Sequence, residues 1–202
     1  MGRRKGYDRD ELVAKAMELF RDHGYAGTSA EMLVEGLGVN RYSIYAEFGS
    51  KQGLFNAALE RYDEEVIGAR FGKLEMPGAG LDEIRVLLEF YGAAAEGPAS
   101  GRGCLLCNTA VEFGPNDPDG SGFVQRYFGR LSNAFLAALR NEKNAGGLRT
   151  DLDLHTEAND LTATVLGLFV MIRAKAPRDM TASAAANAIA RLESISSTRI
   201  SR

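Results

Sequence analysis

The stretch of residues 28–51, TSAEMLVEGLGVNRYSIYAEFGSK, most constrains the fold, because its pattern predicts two short helices joined by a tight turn. Thr28 and Ser29 both suit a helix start, since a side-chain oxygen can accept a hydrogen bond from a free backbone N–H. Thr28 and Glu31 also have the spacing of a capping box. Asn40 provides a second helix start within the same stretch.

A glycine-containing turn separates the two predicted helices, and Gly36 and Gly38 mark the end of the first. Behind Asn40, Ile44 and Phe48 keep the i, i+4 spacing of one helix face. Two helices joined by a short turn with glycine form a helix-turn-helix. When this motif binds DNA, the N-terminal residues of the second helix meet base edges in the major groove. In this sequence those residues are Asn40, Arg41 and Tyr42.

The run from Gly24 to Phe55 resembles the N-terminal domain of TetR-family transcriptional regulators. The matching positions, in order, are Gly24–Tyr25, Thr28, Gly38–Val39, Ile44–Tyr45, Phe48, Ser50–Lys51 and Leu54–Phe55. The remainder resembles the family in its helical rhythm, and no stretch alternates at period two. The resemblance implies an all-α chain of about nine helices. It also implies a DNA-binding head over 1–53, whose linking helix continues to about 71, and a helical effector-binding and dimerisation domain over 54–202.

The residues expected at DNA lie in an N-terminal basic arm and in the helix-turn-helix. They are Arg3, Arg4, Lys5, Thr28, Ser29, Asn40, Arg41, Tyr42, Tyr45 and Lys51. A basic arm can follow phosphates or enter the minor groove. The first 53 residues carry as many acidic as basic side chains, and the whole chain has a net charge of −3, so the local clustering matters more than the total. The resemblance places Tyr45 and Lys51 at phosphates, and Arg41 and Tyr42 where bases are read.

The composition favours a cytoplasmic protein. No apolar run approaches the roughly 20 residues of a membrane-spanning helix, and the basic and acidic N-terminus is unlike a secretory signal. Two cysteines in such a chain are expected to be free thiols in a reducing compartment.

Two helices near the C-terminus are predicted to form a homodimer interface. The helix over 156–176 is apolar on more than one face, so it needs cover on nearly all sides. A second subunit is the favoured cover, and complete burial within one subunit is the alternative. The resemblance implies a four-helix bundle between subunits at this place. The residues expected there are Leu161, Val165, Leu168, Phe169, Ile172, Ala185, Ile189 and Leu192.

Cys104 and Cys107 admit two interpretations. A thiol directly after Gly103, at a predicted helix start, is typical of a stabilised thiolate and hence of a redox sensor. Free cysteines are, however, common as small core residues, and this second interpretation is the favoured one. A zinc site is not expected, because His23 and His155 are distant in sequence.

An effector pocket in the C-terminal domain is implied by the resemblance. Asn108 and Glu112, spaced i, i+4, could orient a ligand among aromatic side chains. The pocket residues predicted on this basis are Phe90, Tyr91, Cys104, Cys107, Asn108, Glu112, Tyr127 and Phe128.

The sequence therefore favours a DNA-binding transcriptional regulator, most simply a repressor released from operator DNA by a small molecule. It does not separate repressor from activator. The chain has no nucleophile-elbow motif and no phosphate-binding glycine loop, so we expect no enzyme, cofactor or metal. The alternative is a helical small-molecule-binding or thiol-redox sensor protein with weak or vestigial DNA binding.

Overall fold

The structure, a computed structural model, describes residues 6–113 and 118–197, without the side chains of 118–121. Within these ranges all regular structure is helical, apart from one isolated bridge between Leu148 and Ser196. The all-α prediction is confirmed. The predicted arm of Arg3, Arg4 and Lys5 lies outside the described residues.

The helices follow the predicted rhythm, and we number them along the chain. They are α1 (Arg9–Gly27), α2 (Ala30–Leu37), α3 (Arg41–Phe48), α4 (Lys51–Tyr62), α5 (Gly68–Phe71), α6 (Leu81–Ala93), α7 (Leu105–Phe113), α8 (Pro118–Asn144), α9 (Leu154–Arg173) and α10 (Arg178–Ile195). A π-helical turn, Asp63–Ile67, joins α4 directly to α5, and a 3₁₀ turn, Ala94–Glu96, extends α6. If α4 and α5 are counted as one continuous helix, called the α4–α5 rod below, the described parts of the chain contain nine helices.

The helix-turn-helix forms through local capping. Ser29 Oγ accepts a hydrogen bond from Met32 N at 3.2 Å, and Asn40 Oδ1 accepts one from Ser43 N at 2.8 Å. Between the helices, Gly38 takes φ +70, a conformation in which glycine has no steric penalty. The capping box predicted for Thr28 and Glu31 is wrong. The cap of α2 is Ser29, because the Thr28 hydroxyl is instead donated to Gly24 O at 2.6 Å.

Helix α1 is interrupted at Gly24, where φ is +75 and ψ is 176. The sequence predicts the first helix to close at this glycine, and one further helical turn follows to Gly27. A side chain here would be strained by the positive φ. Its Cβ would also lie 3.0 Å from Glu112 Oε2. The interruption thus brings α7 directly against the end of α1.

One hydrophobic core runs from the N-terminal helices into the rest of the chain. Phe20 of α1 packs edge-on against Phe55 of α4 with ring centroids 4.8 Å apart. Phe55 stacks on Phe113 of α7 at 5.5 Å, and Tyr25 lies 5.1 Å from Phe113. The division predicted between residues 53 and 54 stays a prediction, and packing is continuous across it.

The residues predicted for the subunit interface lie inside the subunit, so that prediction is wrong for all but one of them. Leu161, Val165, Leu168, Phe169, Ile172, Ala185 and Leu192 are buried, whereas Ile189 is partly buried. Helix α9 packs on α8, and α10 packs closely on α6. The larger apolar side chains of α9 face this core. Its outer face is also apolar but carries mostly smaller residues, namely Ala163, Leu166, Gly167 and Val170.

Leu168→Ala should therefore lower the free energy of unfolding by about 2–5 kcal/mol, because it leaves a cavity in the core. Val86→Ala is the control, since Val86 is 60% exposed, and it should change the free energy by less than about 0.5 kcal/mol. Urea unfolding at equal protein concentration measures both. A loss for Leu168→Ala no larger than for Val86→Ala would contradict the burial of Leu168.

Candidate DNA-binding surface and ligand cavity

The N-terminal end of α3 forms the most exposed polar and aromatic surface of the helix-turn-helix. Tyr42 is 82% exposed, and Arg41 beside it is exposed as well. The Arg41 guanidinium lies 5.3 Å from the centre of the Tyr45 ring, a cation–π contact that orients it along the helix. Asn40 is exposed, but its carboxamide oxygen caps the helix. The side chains free to meet a base edge are thus Arg41 and Tyr42.

The acidic residue of α3 is paired within the protein. Glu47 accepts a hydrogen bond from the Tyr7 hydroxyl at 3.3 Å and lies 3.7 Å from Arg9 Nε. Its side chain is only 10% exposed. Glu47 therefore contributes little uncompensated negative charge to the surface of α3.

Three of the predicted DNA contacts, Thr28, Ser29 and Lys51, lie outside α3. Thr28 is completely buried, so its side chain cannot reach DNA in this conformation, and that prediction is wrong. Lys51 Nζ lies 4.3 Å from the centre of the Tyr25 ring. Partial burial lowers the pKa of Lys51, and the nearby Glu112 carboxylate opposes that change. Ser29 remains exposed at the start of α2.

A cavity of about 440 Å³ lies between α1 and the body of the protein, by which we mean the helices from the α4–α5 rod to α10. Its walls come from α1, the α4–α5 rod, α6, the loop after the 3₁₀ turn, and α9. The residues that line it are Arg21, Tyr62, Val66, Arg70, Phe90, Tyr91, Ala93, Ala94, Gly97, Pro98, Ala99, Gly103, Phe169 and Ile172. This volume falls within the range of roughly 300–1,000 Å³ that is usual for small-molecule sites.

Of the predicted pocket residues, Phe90 and Tyr91 line this cavity. Two others serve elsewhere: the Asn108 amide donates to Arg102 O at 2.9 Å, and Glu112 accepts from the backbone of α1. The remaining four are Cys104, Cys107 and Tyr127, which are buried, and Phe128, which lies at the surface of α8. These six assignments to the cavity are wrong. Glu112 faces α1, Asn108 binds the loop before α7, and both cysteines lie in the core. Tyr127 and Phe128 belong to α8, which contributes no residue to the described wall of the cavity.

Two arginines in the cavity wall were not predicted. Arg21 Nε and one Nη of Arg21 donate to the carbonyl oxygen of Gly103 at 3.3 and 3.2 Å. The Arg70 guanidinium lies 3.7 Å from the centre of the Phe90 ring. No local pattern marks either residue. Arg21 meets a residue 82 positions away, and such a contact has no signature in the spacing of one helix.

Three further side chains tie α1 to the body. Arg102 pairs with Asp22 and, at 2.6 Å, with Glu18. One Nη of Arg173 donates to Arg21 O and Gly101 O, both at 3.0 Å.

The third of these side chains is Glu112. Its carboxylate accepts hydrogen bonds from Tyr25 N at 2.9 Å and Ala26 N at 2.6 Å, just after the Gly24 interruption. Charged partners make such hydrogen bonds stronger than neutral ones. The orientation of α1 is therefore coupled to α7, α9 and the loop that lines the cavity.

The two thiols are held in their neutral form. Burial raises the pKa of Cys104, whose Sγ lies 3.2 Å from the Tyr127 hydroxyl. Burial also raises the pKa of Cys107 to about 12, from 9.0 in its ordinary state. Because the folded-state value is the higher one, the Cys107 thiol leaves the free energy of unfolding at its full value below about pH 9. That free energy falls as the pH rises toward 12, since the unfolded chain loses this proton first.

The described parts of the chain contain no group of three or more side chains placed to hold a metal ion. Nor do these parts include a helix that is both long and apolar enough to span a membrane.

Comparison with known proteins gives two family matches. Residues 12–58 match the family described as "Bacterial regulatory proteins, tetR family", and residues 80–189 match "Tetracyclin repressor-like, C-terminal domain".

Individual proteins are similar over most of the chain. The uncharacterized HTH-type transcriptional regulator YezE of Bacillus subtilis (strain 168) is 32% identical over 180 residues, which cover 89% of this chain and 93% of the relative. The HTH-type transcriptional repressor ComR of Escherichia coli (strain K12) is 28% identical, with 85% and 82% covered. A cysteine mutant of the TetR family transcriptional regulator CifR, solved with 26-bp double-strand operator DNA, superimposes with a TM-score of 0.83. It is 27% identical, and 94% and 98% of the two chains are covered.

We expect the native protein to resist a chromogenic disulfide reagent at pH 8 over hours, because the thiolate is the reactive form and both thiols are buried and neutral. Both should react promptly in guanidinium chloride. Ala145→Cys, at an exposed position, is the positive control and should be modified in the native state. Rapid labelling of native wild-type protein would contradict the burial and restore the sensor interpretation.

Proposed function

The chain belongs to the TetR family of bacterial regulatory proteins, and from this premise we propose that it is a repressor released from its operator by a small organic effector. As a member of this family it is a helix-turn-helix, DNA-binding transcriptional regulator. The cavity is the main observation in support of release by an effector. It is lined both by α1 of the DNA-binding part and by helices of the body, so a bound ligand would contact both.

In this proposal α3 lies in the major groove, where Arg41 and Tyr42 read bases and Tyr45 and Ser29 contact phosphates. The exposure of Arg41 and Tyr42 at the start of α3 supports this placement. Lys51 contributes its charge to the phosphates next to α4. The protein acts on chromosomal DNA in the cytoplasm, and the proposal includes no catalysis.

The protein acts as a homodimer in this proposal, with an interface on the outer faces of α9 and α10. On α9 that face is formed by Ala163, Leu166, Gly167 and Val170, and Val170 is 52% exposed. Neighbouring exposed or partly exposed positions of α10 are also small or apolar: Ala182, Ala186, Ile189 and Ala190. A two-fold axis through this face would pair two DNA-binding parts with two half-sites.

Release follows from the coupling of α1 to the cavity. An effector that binds more tightly to the conformation unsuited to DNA shifts the dimer toward that conformation. By linkage, DNA then weakens effector binding by the same factor. The thiol-sensor alternative has less support, because both cysteines are buried and their pKa values are raised.

Binding to DNA selected from a random pool tests the reading role of α3. Arg41→Ala should weaken binding to the best site by about 1–3 kcal/mol and lower the ratio of specific to scrambled affinity. Lys51→Ala should weaken both affinities alike, because phosphate contacts carry no sequence information.

The control for both is Arg140→Ala, an exposed arginine on α8, which should bind as wild type does. An unchanged specificity ratio for Arg41→Ala would remove Arg41 from base reading. Equal wild-type affinity for all sequences, at every salt concentration, would contradict the proposed function itself.

Val170→Glu should convert the dimer into folded monomers, because it buries an unpaired charge at the proposed axis. Val86→Glu makes the same change at an exposed site on α6 and should remain dimeric. Analytical ultracentrifugation measures the masses, and circular dichroism reports the fold. A folded, dimeric Val170→Glu protein would place the interface elsewhere.

A further inference from the structure

We propose that the effector is a small organic anion, a carboxylate on an apolar body, held by Arg21 and Arg70. This assignment rests on the proposed function of the cavity as the effector site. The side chains in the cavity wall supply the argument, since they fix which charge and which shape the space can accept.

The cavity wall carries two positive charges without an acidic partner. Neither Arg21 nor Arg70 forms an ion pair with a carboxylate in the parts of the chain that the structure describes. No Asp or Glu is among the residues that line the cavity there. Other arginines of the chain do pair with acids: Arg102 with Glu18, and Arg191 with Glu157. Arg70 is exposed and also lines a second, smaller cavity with Asp82 and Glu83, neither of which forms an ion pair with it among the described residues. Two guanidinium groups without an ion-pair partner in one wall favour an anion over a cation there.

Both arginines keep donors available for a ligand. Arg70 stacks a face on Phe90, which leaves its N–H groups free in the plane of the guanidinium. Arg21 directs Nε and one Nη to a single neutral acceptor, the Gly103 carbonyl oxygen. A carboxylate is a stronger acceptor than a carbonyl for this fork-shaped donor, so it competes well for Arg21.

The positive charges of Arg21 and Arg70 both act on the Tyr91 phenol in the cavity wall. Burial raises the pKa of the Tyr91 phenol, and the charges of Arg70 and Arg21 both oppose that rise. A negative charge near Tyr91 is therefore favoured by both arginines at once. The Tyr91 hydroxyl can itself donate to a carboxylate, since the phenol stays protonated.

The rest of the wall requires an apolar body on the ligand. Apart from the backbone, the arginines and the hydroxyls of Tyr62 and Tyr91, its side chains are aliphatic or aromatic: Val66, Phe90, Ala93, Ala94, Pro98, Ala99, Phe169 and Ile172. A fully polar anion such as phosphate or a sugar acid would leave its other polar groups without partners here. An aromatic or medium-chain aliphatic monocarboxylate satisfies both parts of the cavity.

Arg21 also gives this ligand a direct route to the DNA-binding part. It lies on α1, and its hydrogen bonds to Gly103 O attach α1 to the loop before α7. A carboxylate that takes over these donors loosens that attachment. Arg70, on α5, holds the ligand without contacting α1. The two arginines thus have separate roles, Arg70 in affinity and Arg21 in affinity and coupling.

Isothermal titration of the full-length protein with matched probes tests the charge requirement. The probes are 2-naphthoate, the neutral 2-naphthalenemethanol and the cationic 2-naphthylmethylamine, with octanoate and octanol as an aliphatic pair. Each carboxylate should bind about tenfold to a hundredfold more tightly than its alcohol, because charge-assisted hydrogen bonds exceed neutral ones. The amine should bind least.

Arg70→Gln should remove most of the preference for carboxylate over alcohol while leaving the melting temperature near that of wild type, because Arg70 is exposed. Arg21→Gln should reduce the preference as well, and Arg140→Gln should leave it unchanged. An alcohol that binds as tightly as its carboxylate, a preference that survives Arg70→Gln, or no binding by any carboxylate would each overturn the assignment. These titrations contain no DNA, so their failure leaves the proposed DNA-binding function standing.

The coupling role is tested with the selected DNA site and saturating 2-naphthoate. Wild-type and Arg70→Gln proteins should both lose DNA affinity when saturated, since both retain Arg21. Arg21→Gln lacks the attachment to Gly103 O with or without ligand, so its DNA affinity should be the same at saturation as in the absence of 2-naphthoate. Release of DNA from saturated Arg21→Gln equal to that from wild type would remove Arg21 from the coupling.

Discussion

The hydrogen bonds that the Glu112 carboxylate accepts from Tyr25 N and Ala26 N are the interaction on which the arrangement of the head depends. The positive φ of Gly24 takes the chain out of the helix, so the next two N–H groups lose acceptors within α1. Helix α7 supplies a charged acceptor in their place. The aromatic ring of Phe113, one residue beyond, packs against Tyr25 and completes the joint. The direction in which α2 and α3 leave the body is set here.

Local chemistry made the helix-turn-helix predictable from the sequence. Asn40 and Ser50 are the N-caps of α3 and α4, as their side chains predict, because a cap needs only an oxygen and an N–H three residues on. Gly38 ends α2 for an equally local reason, its positive φ. The same rule could not separate Thr28 from Ser29. Both carry a hydroxyl, and the interruption of α1 at Gly24, where Glu112 of the distant α7 binds the backbone, decides which one is buried.

The cavity and the outer surface of α9 depend on contacts that local spacing does not encode. Helix α9 is apolar on opposite sides, so the sequence indicates that both sides are covered but not which side faces the core. Leu168 and Val170 differ by two positions and lie on different sides of that boundary. The position of Glu112 in an apolar helix predicts a pocket residue, yet its carboxylate faces α1. The wall that contains Arg21 is assembled from five separate parts of the chain, and no single part carries its pattern.

The π-helical turn Asp63–Ile67 has a consequence for the geometry of this wall. Tyr62, Val66 and Arg70 are spaced by four residues each and all line the cavity. In an uninterrupted α-helix, eight residues exceed two full turns by about 80°, so Arg70 would rotate away from the line through Tyr62. The wider π turn uses an extra residue and takes up that excess. The one extra residue of the π turn thus allows Tyr62, Val66 and Arg70 to face the same cavity, so that an aromatic ring, an aliphatic side chain and a cation follow one another along its wall.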